Sequence, residues 1–422
     1  MAYRLHAHAL IDGTGREPVD NAVVTIDDHR ITDVGTGDAA SAAPSATSSG
    51  GGDVDHGDLD CGDLVVLPGL IDAHTHMGLV EGDKLGSMPA AMVAAHLFRN
   101  AELCLASGHT TAREVAGADG GLAQAIDAGL VPGPRLFPSG PMLSQTAGHG
   151  EFGFPFVDHH HHVPGLAGLS QPSMICDGPD QVRIATRDAF RHGATQIKVC
   201  VSGGVVSLTD RLEDVQFTVP ELQAAVEEAE ARDTYVTAHA HNIDGIERGL
   251  EAGLRCFEHG TFLTEATAAR MAAADAALVP TLAVIHLLAT EYESYGLGDY
   301  VVPRVAGVEE AMSNAVVIAA EAGVRVGSGT DLLGPGQNRR GLELVLRARL
   351  QSPMDAIVSA TRINAEIMRV NDRLGTVEAG KLADCIGVDF DPLDEPGGFD
   401  DPDRVRLVIK NGAVVKDTDG RC

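Results

Sequence analysis

Tryptophan is missing from this chain, aromatic residues make up only 4% of it, and lysine occurs five times, at Lys84, Lys198, Lys381, Lys410 and Lys416. With 60 acidic residues against 31 basic ones, patches that neutralise phosphate cannot easily form. That argues against a nucleic-acid or anionic-membrane partner. Nowhere is there an uninterrupted apolar run of the roughly 18 residues that a spanning helix needs, so no membrane passage is expected. The opening stretch, MAYRLHAHALIDGTG, has no basic segment followed by a long apolar one. No secretory signal is legible there, and a cytoplasmic location is the expectation. The cysteines Cys61, Cys104, Cys176, Cys200, Cys256, Cys385 and Cys422 form no CxxC pair. Their odd count and irregular spacing point to structural free thiols in a reducing compartment.

What is abundant completes the picture. Apolar residues reach 44% and glycine 49 of 422 positions, a composition that suits helices packed closely on a parallel sheet. The net charge of −29 on so few lysines resembles the surfaces of proteins from salt-accumulating halophiles. There, molar salt screens the self-repulsion of a compact, highly charged chain.

Along the chain, YRLHAHALIDG and NAVVTIDDHRITDVG read as short strands, followed by a low-complexity stretch over 37–58. GTVEAGKLADCIGVDFDPL and DRVRLVIKNGAVVKD are again strand-like, with a hairpin signal at Asn411-Gly412. A composite β-sandwich domain from residues 1–66 and 371–422 is the economical reading. The middle, 67–370, alternates short apolar runs with helical patterns. Eight strands are expected at 69–76, 110–117, 135–140, 195–203, 235–241, 255–260, 277–284 and 324–331. Eight βα units predict an α/β (β/α)8 barrel. A doubly wound sheet would want a glycine-rich phosphate loop after its first strand, and that strand ends instead in His-Thr-His.

Groups able to bind metal fall at the strand ends where barrels build active sites. His74 and His76 lie two apart, so on a strand both side chains share a face. Asp72 precedes them as a candidate orienting group. Lys198 sits between Ile197 and Val199 in an apolar strand. A buried ammonium there requires either an ion-pair partner or modification to an N-carboxylated lysine, an anionic oxygen ligand able to bridge metals. His239, His259 and Asp331 each close a further strand. The run Asp158-His159-His160-His161-His162 is read as a loop after the third strand, outside the site.

PGLIDAHTH, TRINAEIMRV and GKLADCIGVD together resemble the amidohydrolase superfamily over nearly the whole chain. The resemblance implies two divalent metals, zinc by availability. His74 and His76 would hold the more buried ion and His239 and His259 the more exposed one. N6-carboxylated Lys198 would bridge them, and Asp331 would bind the first ion and shuttle protons. ASGHTTAREVAG, SQTAGHGE, KVCVSGGV and AHAHN are similar to the Xaa-Pro and Xaa-Arg dipeptidase group. That group includes ochratoxin-type carboxamidases and organophosphate- and carbamate-degrading relatives. It implies that His149 and Tyr235 contact substrate. Glu114 replaces the usual Asp after TxR, and Ser144-Gln145 precede the GHG segment differently; both departures bear on substrate preference and spare the metal set.

The expected function is hydrolysis of a C–N amide bond in a dipeptide or N-acyl amino acid. Hydroxide bridging the two metals would attack, with Asp331 moving the proton. Hydrolysis of a cyclic amide, lactone or imidazolone is the alternative. Imidazolonepropionase-like enzymes use no bridging lysine, which counts against the last of these. A non-enzymatic assembly protein would be expected to have lost ligands. The partner is then a small-molecule substrate, in a homo-oligomeric enzyme. The charge balance carries a prediction: the thermal midpoint and activity should rise from dilute buffer to molar KCl. Equal midpoints in thermal melts at both salt levels would refute it.

Overall fold

The computed structural model describes residues 2–37, 58–80, 88–152, 165–166 and 168–421. The low-complexity positions 38–57, Lys84, Cys422 and the His159–His162 run lie outside them.

Both ends of the chain contribute to one eight-stranded sheet. Leu59–Pro68 pairs in parallel with Ala2–Leu10 on one side and antiparallel with Cys385–Val388 on the other. That shared strand makes the hydrogen-bonded path continuous, and the sheet rolls on itself. Asn411 and Gly412, with φ of 51° and 73°, form the two-residue turn between Val405–Lys410 and Ala413–Asp417, the left-handed pair that an Asn-Gly hairpin requires. The Tyr3 hydroxyl donates to Gly412 O at 3.0 Å, and a Cβ on Gly412 would lie 1.9 Å from Asp28 O. The last hairpin therefore touches the turn after Ala22–Asp27, and the roll encloses Leu5, Val24, Ile26, Cys385, Leu407 and Ile409.

The centre is a (β/α)8 barrel. Its strands are Leu70–Thr75, His109–Glu114, Arg135–Pro138 continued by Met142–Ser144, and Ile197–Cys200. Val236–Ala240, Cys256–His259, Ala277–Val279 and Arg325–Val326 complete them. Neighbours pair in parallel from the first strand to the third and from Met142–Ser144 to the eighth. The ring closes where Ala73 N donates to Ser328 O at 3.0 Å and Asp331 N to His74 O at 2.8 Å. The eight expected strands are all present, but the seventh and the eighth, Arg325–Val326, are shorter than their sequence patterns. In the seventh the cause is local. Pro280 cannot donate to a ladder, and helix Leu282–Glu291 begins two residues later.

Period-two alternation sorts the barrel's side chains. Ile197, Val199, Val236, Ala238 and Phe257 pack outward with helix residues such as Leu222 and Ile246. The intervening Lys198, Thr237, His239 and Glu258 take the opposite face, toward the barrel interior. The helices carry their own boundary signals. A Thr218–Glu221 capping box opens Val219–Glu230, and the Asn242 side chain caps Ile243–Ala252, which ends at left-handed Gly253.

Among the described residues no helix is long and apolar enough to cross a membrane. All six described cysteines are buried free thiols. Two of the described lysines bind main-chain oxygens: Lys410 donates to Gly133 O at 2.7 Å and Lys416 to Ala106 O at 2.9 Å. The rolled sheet yields a prediction. Gly412→Ala combines a left-handed residue with a clash and should cost on the order of 1–3 kcal/mol in urea unfolding. An unchanged midpoint would show that the hairpin tip is not held against the Asp28 turn.

Candidate metal centre

The C-terminal strand ends bring together two groups of three donors, each with its donor atoms within 4.8 Å of one another. One is His74, His76 and Asp331; the other is His239, His241 and His259. Asp331 Oδ1 lies 2.9 Å from His76 Nε2 and 3.3 Å from His74 Nε2, while its Oδ2 lies 3.9 Å from His259 Nδ1. One carboxylate thus spans the two groups. Five of the six expected metal ligands converge here, and the sixth, Lys198, lies buried on the adjoining strand.

Hydrogen bonds beneath the imidazoles leave one nitrogen of each available. His74 Nδ1 meets Glu258 Oε2 at 2.6 Å, and His76 Nδ1 meets Ala116 O at 2.9 Å. His239 Nε2 meets Gly203 O at 3.0 Å, and His259 Nδ1 meets Thr281 Oγ1 at 2.7 Å. His74, His76 and His259 therefore offer Nε2, and His239 offers Nδ1. This is the outer support that metal-binding histidines need to fix ring and tautomer. Burial holds His239 and His259 well below the ordinary imidazole range, and neighbouring histidines and Lys198 deepen the effect. The rings are neutral at pH 7, the form that binds a cation. Burial also pushes Lys198 down from the usual lysine value. Asp331 is raised by burial, but His74 and His76 hold it well below the carboxylate range, so it stays ionised. His76 goes the other way: burial lowers it, but Asp331, Glu114 and Ala116 O raise it above the ordinary imidazole value. Imidazole nitrogens with an ionised carboxylate are a donor set that fits two divalent cations.

Backbone geometry aims these groups. His259 and Asp331 both adopt left-handed φ, 67° and 55°, a conformation uncommon for non-glycine residues and best tolerated by Asn, Asp and His. On the sixth strand His259 has the outward parity of Phe257, and the left-handed turn re-aims its ring. A Cβ on Gly329 would lie 2.5 Å from His74 Cβ, so that glycine lets the last strand approach the first. Asp72 holds the same junction. It accepts from His74 N at 3.1 Å, Thr330 N at 3.0 Å and Arg340 Nη1 at 2.5 Å. Asp72 orients the backbone around His74 and Asp331 rather than an imidazole.

His149 stacks on His239, ring centroids 4.0 Å apart at 13°. A Cβ on Gly204 would come within 2.2 Å of the ring, so glycine is required there. Ser207 donates to Asp210, leaving its Oγ to accept from His149 Nδ1 at 3.0 Å. The open nitrogen of His149 is then Nε2 with its lone pair, a hydrogen-bond acceptor. Burial, with His241 and Lys198 nearby, brings its pKa down to about 3, so the ring is no cationic donor at neutral pH.

Tyr235 is placed elsewhere. It shares the inward face of its strand with Thr237 and His239, but four residues below His239, about 13 Å along the strand. Its hydroxyl accepts from Arg113 Nη1 at 3.3 Å, and Arg369 lies 5.4 Å over its ring. The expectation that Tyr235 contacts substrate is corrected: it belongs to the N-terminal end of the barrel.

His241 was not among the expected ligands. It stacks on His259 at 4.7 Å and 12°, and its Nδ1 meets Thr261 Oγ1 at 2.6 Å. The signal was present: Ala-His-Ala-His repeats the two-residue spacing that marked His74 and His76. Glu114, the departure after TxR, is also structural. It accepts from Met77 N at 2.7 Å and Ala118 N at 3.0 Å, and burial pushes its pKa up to about 7.

Comparison with known proteins follows from this geometry. The family model described as "Amidohydrolase family" matches residues 65–415. Ochratoxinase from Aspergillus niger is 33% identical, with 98% of this chain and 86% of that protein covered. The A. niger ochratoxinase crystal structure superposes with a TM-score of 0.85 at 30% identity, covering 99% of this chain and 96% of that one. A prolidase complexed with N-methylphosphonate-L-proline gives 0.88 at 33%, covering 99% and 100% of the two chains. A Xaa-Pro dipeptidase with bound methionine gives 0.84 at 30%, again covering 99% and 100%.

The His74–Glu258 contact can be tested. Glu258→Gln should weaken divalent-metal affinity by about 10- to 100-fold in chelator competition. Undiminished affinity would show that the carboxylate does not support His74 as a ligand.

Proposed function

The chain belongs to the amidohydrolase family, and from that premise we propose that it is a binuclear metallohydrolase that cleaves the amide bond of a dipeptide or an N-acyl amino acid. The observation that carries this reading is the pair of three-donor groups spanned by Asp331. Relatives of about 30% identity or more over almost the whole chain include a prolidase, a Xaa-Pro dipeptidase and an ochratoxinase. Those names support an amide-bearing substrate over a lactone or an imidazolone.

His74 and His76 would hold one ion and His239 and His259 the other, with Lys198 between them as N6-carboxylysine. Zinc is the metal most compatible with this mixture of imidazole and carboxylate oxygen. As an ammonium, Lys198 repels the cations that its neighbours would bind; as a carbamate it would complete their charge. Bound divalent ions supply Lewis acidity, acidifying water and polarising the scissile carbonyl. Asp331, kept ionised by His74 and His76, takes the proton from the attacking water and passes it to the departing amine. His149, with an acceptor nitrogen, holds the amide N–H and then the released amine. That gives the substrate contact expected of His149 a specific form. Tyr235 takes no part in the chemistry.

Two measurements test the proposal. Purified protein should contain two divalent ions per chain by elemental analysis, and Lys198→Ala should lose at least one of them with most of the activity. Full occupancy and rate in that variant would remove the carbamate from the mechanism. Across a panel of Xaa-Pro, Xaa-Arg and N-acyl amino acid substrates, His149→Asn should lose on the order of 100-fold in kcat with metals retained. Tyr235→Phe should turn over at nearly the wild-type rate. Hydrolysis of lactones or cyclic amides alone, with the whole panel untouched, would overturn the substrate assignment.

A further inference from the structure

At the opposite end of the barrel, where the fourth and fifth strands begin, lies a cavity of about 450 Å³. Phe137, Phe190 and Tyr235 supply flat apolar wall, and Arg232, Arg369 and Arg373 supply the charge. The Arg232 guanidinium lies 4.8 Å over the Phe190 ring, and that of Arg369 lies 5.4 Å over Tyr235.

Two of these arginines hold no carboxylate, although the chain has 60 carboxylates for 31 cations and many guanidiniums take one; Arg30, Arg248 and Arg304 likewise donate to main-chain oxygens. Arg183 and Arg187 share Glu228, and Arg404 takes both Asp389 and Glu395. Among the described residues, no carboxylate comes within 4.0 Å of Arg232 or Arg369. Arg369 Nη1 makes one long hydrogen bond, 3.4 Å to the main-chain oxygen of Asp233. Arg373 reaches the carboxylate of its sequence neighbour Asp372, at 3.7 Å. Asp233 is the one acidic residue lining the cavity. Three like charges gathered around one cavity repel each other until an anion enters.

We propose that this cavity is a second ligand site, for a small carboxylate or sulfonate with a flat apolar body. The guanidinium forks match a planar oxyanion in two-point contact. The aromatic wall covers the apolar part, as small-molecule pockets do. The site is separate from the metal centre, which stands at the other end of the same strands.

The absence of tryptophan makes the test clean, since 2-naphthoate can be followed by its own fluorescence on the holoenzyme. Wild type should bind it saturably, while neutral 2-naphthamide should not bind. Arg232→Gln and Arg369→Asn should each weaken binding by about 10-fold, with kcat on the amide substrate unchanged. Asparagine suits position 369, where φ is 58°, because it tolerates the left-handed region. Absence of saturable binding, equal binding of the amide, or undiminished affinity in the double variant would overturn the proposal. In the last case the probe sits elsewhere, for instance at the metal centre.

Discussion

The buried carboxylate of Glu258 is the contact on which both barrel and metal centre rest. It receives His74 Nδ1 at 2.6 Å, Arg113 Nη2 at 2.7 Å and the Thr237 hydroxyl, with no exposure of either charged side chain in the Arg113 pair. Taking two such charges out of water costs several kcal/mol for each ion, so the pair adds little net stability as such. Its value is geometric. Arg113 also donates to Ala73 O at 2.5 Å, so one guanidinium holds the first strand's backbone beside the imidazole it helps to orient. Four strands meet at this carboxylate. Although burial raises Glu258, Arg113, His74 and Lys198 hold it well below the usual carboxylate range, so the acceptor stays charged.

A second constraint lies in the backbone. His259 and Asp331 each occupy a left-handed conformation that costs on the order of 1–3 kcal/mol. Their surroundings compensate locally. His74 O accepts from both Thr330 N and Asp331 N, at 3.0 and 2.8 Å, and Gly260 N donates to Ala240 O at 3.0 Å. The strain at the metal-facing ends is thus paired with hydrogen bonds that would be lost if either residue relaxed. Rigidity at these two positions follows from that coupling.

Most of the two donor groups was legible because side chains alternate along a strand, His259 excepted, since it has the outward parity of Phe257. An apolar run ending in His-x-His, or interrupted by a lone Lys, fixes which face a side chain takes before any fold is known. The same rule applied to Ala-His-Ala-His marks His241 as well. Tyr235 shows where periodicity stops. It correctly places Tyr235 on the face of His239 yet says nothing of depth, and depth separates a substrate contact from the far end of the barrel. Hydrogen-bond direction was equally out of reach. His149 looks the same in sequence whether it donates or accepts, and the choice is made by Ser207 and Asp210, some sixty residues away along the chain. The continuous sheet escaped because it hinges on Leu59–Pro68, a strand with a partner on each edge that the sequence reading left unassigned between the low-complexity stretch and the barrel.

Lys198 brings these strands of argument together. Burial penalises its ammonium and lowers its pKa, with Glu258 and Asp331 opposing that shift. Its charge in turn depresses His149, His239, His241 and His259. A cation at this position keeps those rings in the neutral form that binds a metal, while it would repel the metal ion itself. The free amine, which burial favours, is the form that would add to carbon dioxide, and the carbamate we propose would reverse the sign of the interaction. The apolar flanks Ile197 and Val199 that made this lysine conspicuous in the sequence are thus part of its chemistry. They anchor the strand in the core beneath the helices and leave the amine desolvated among the groups it is fitted to join.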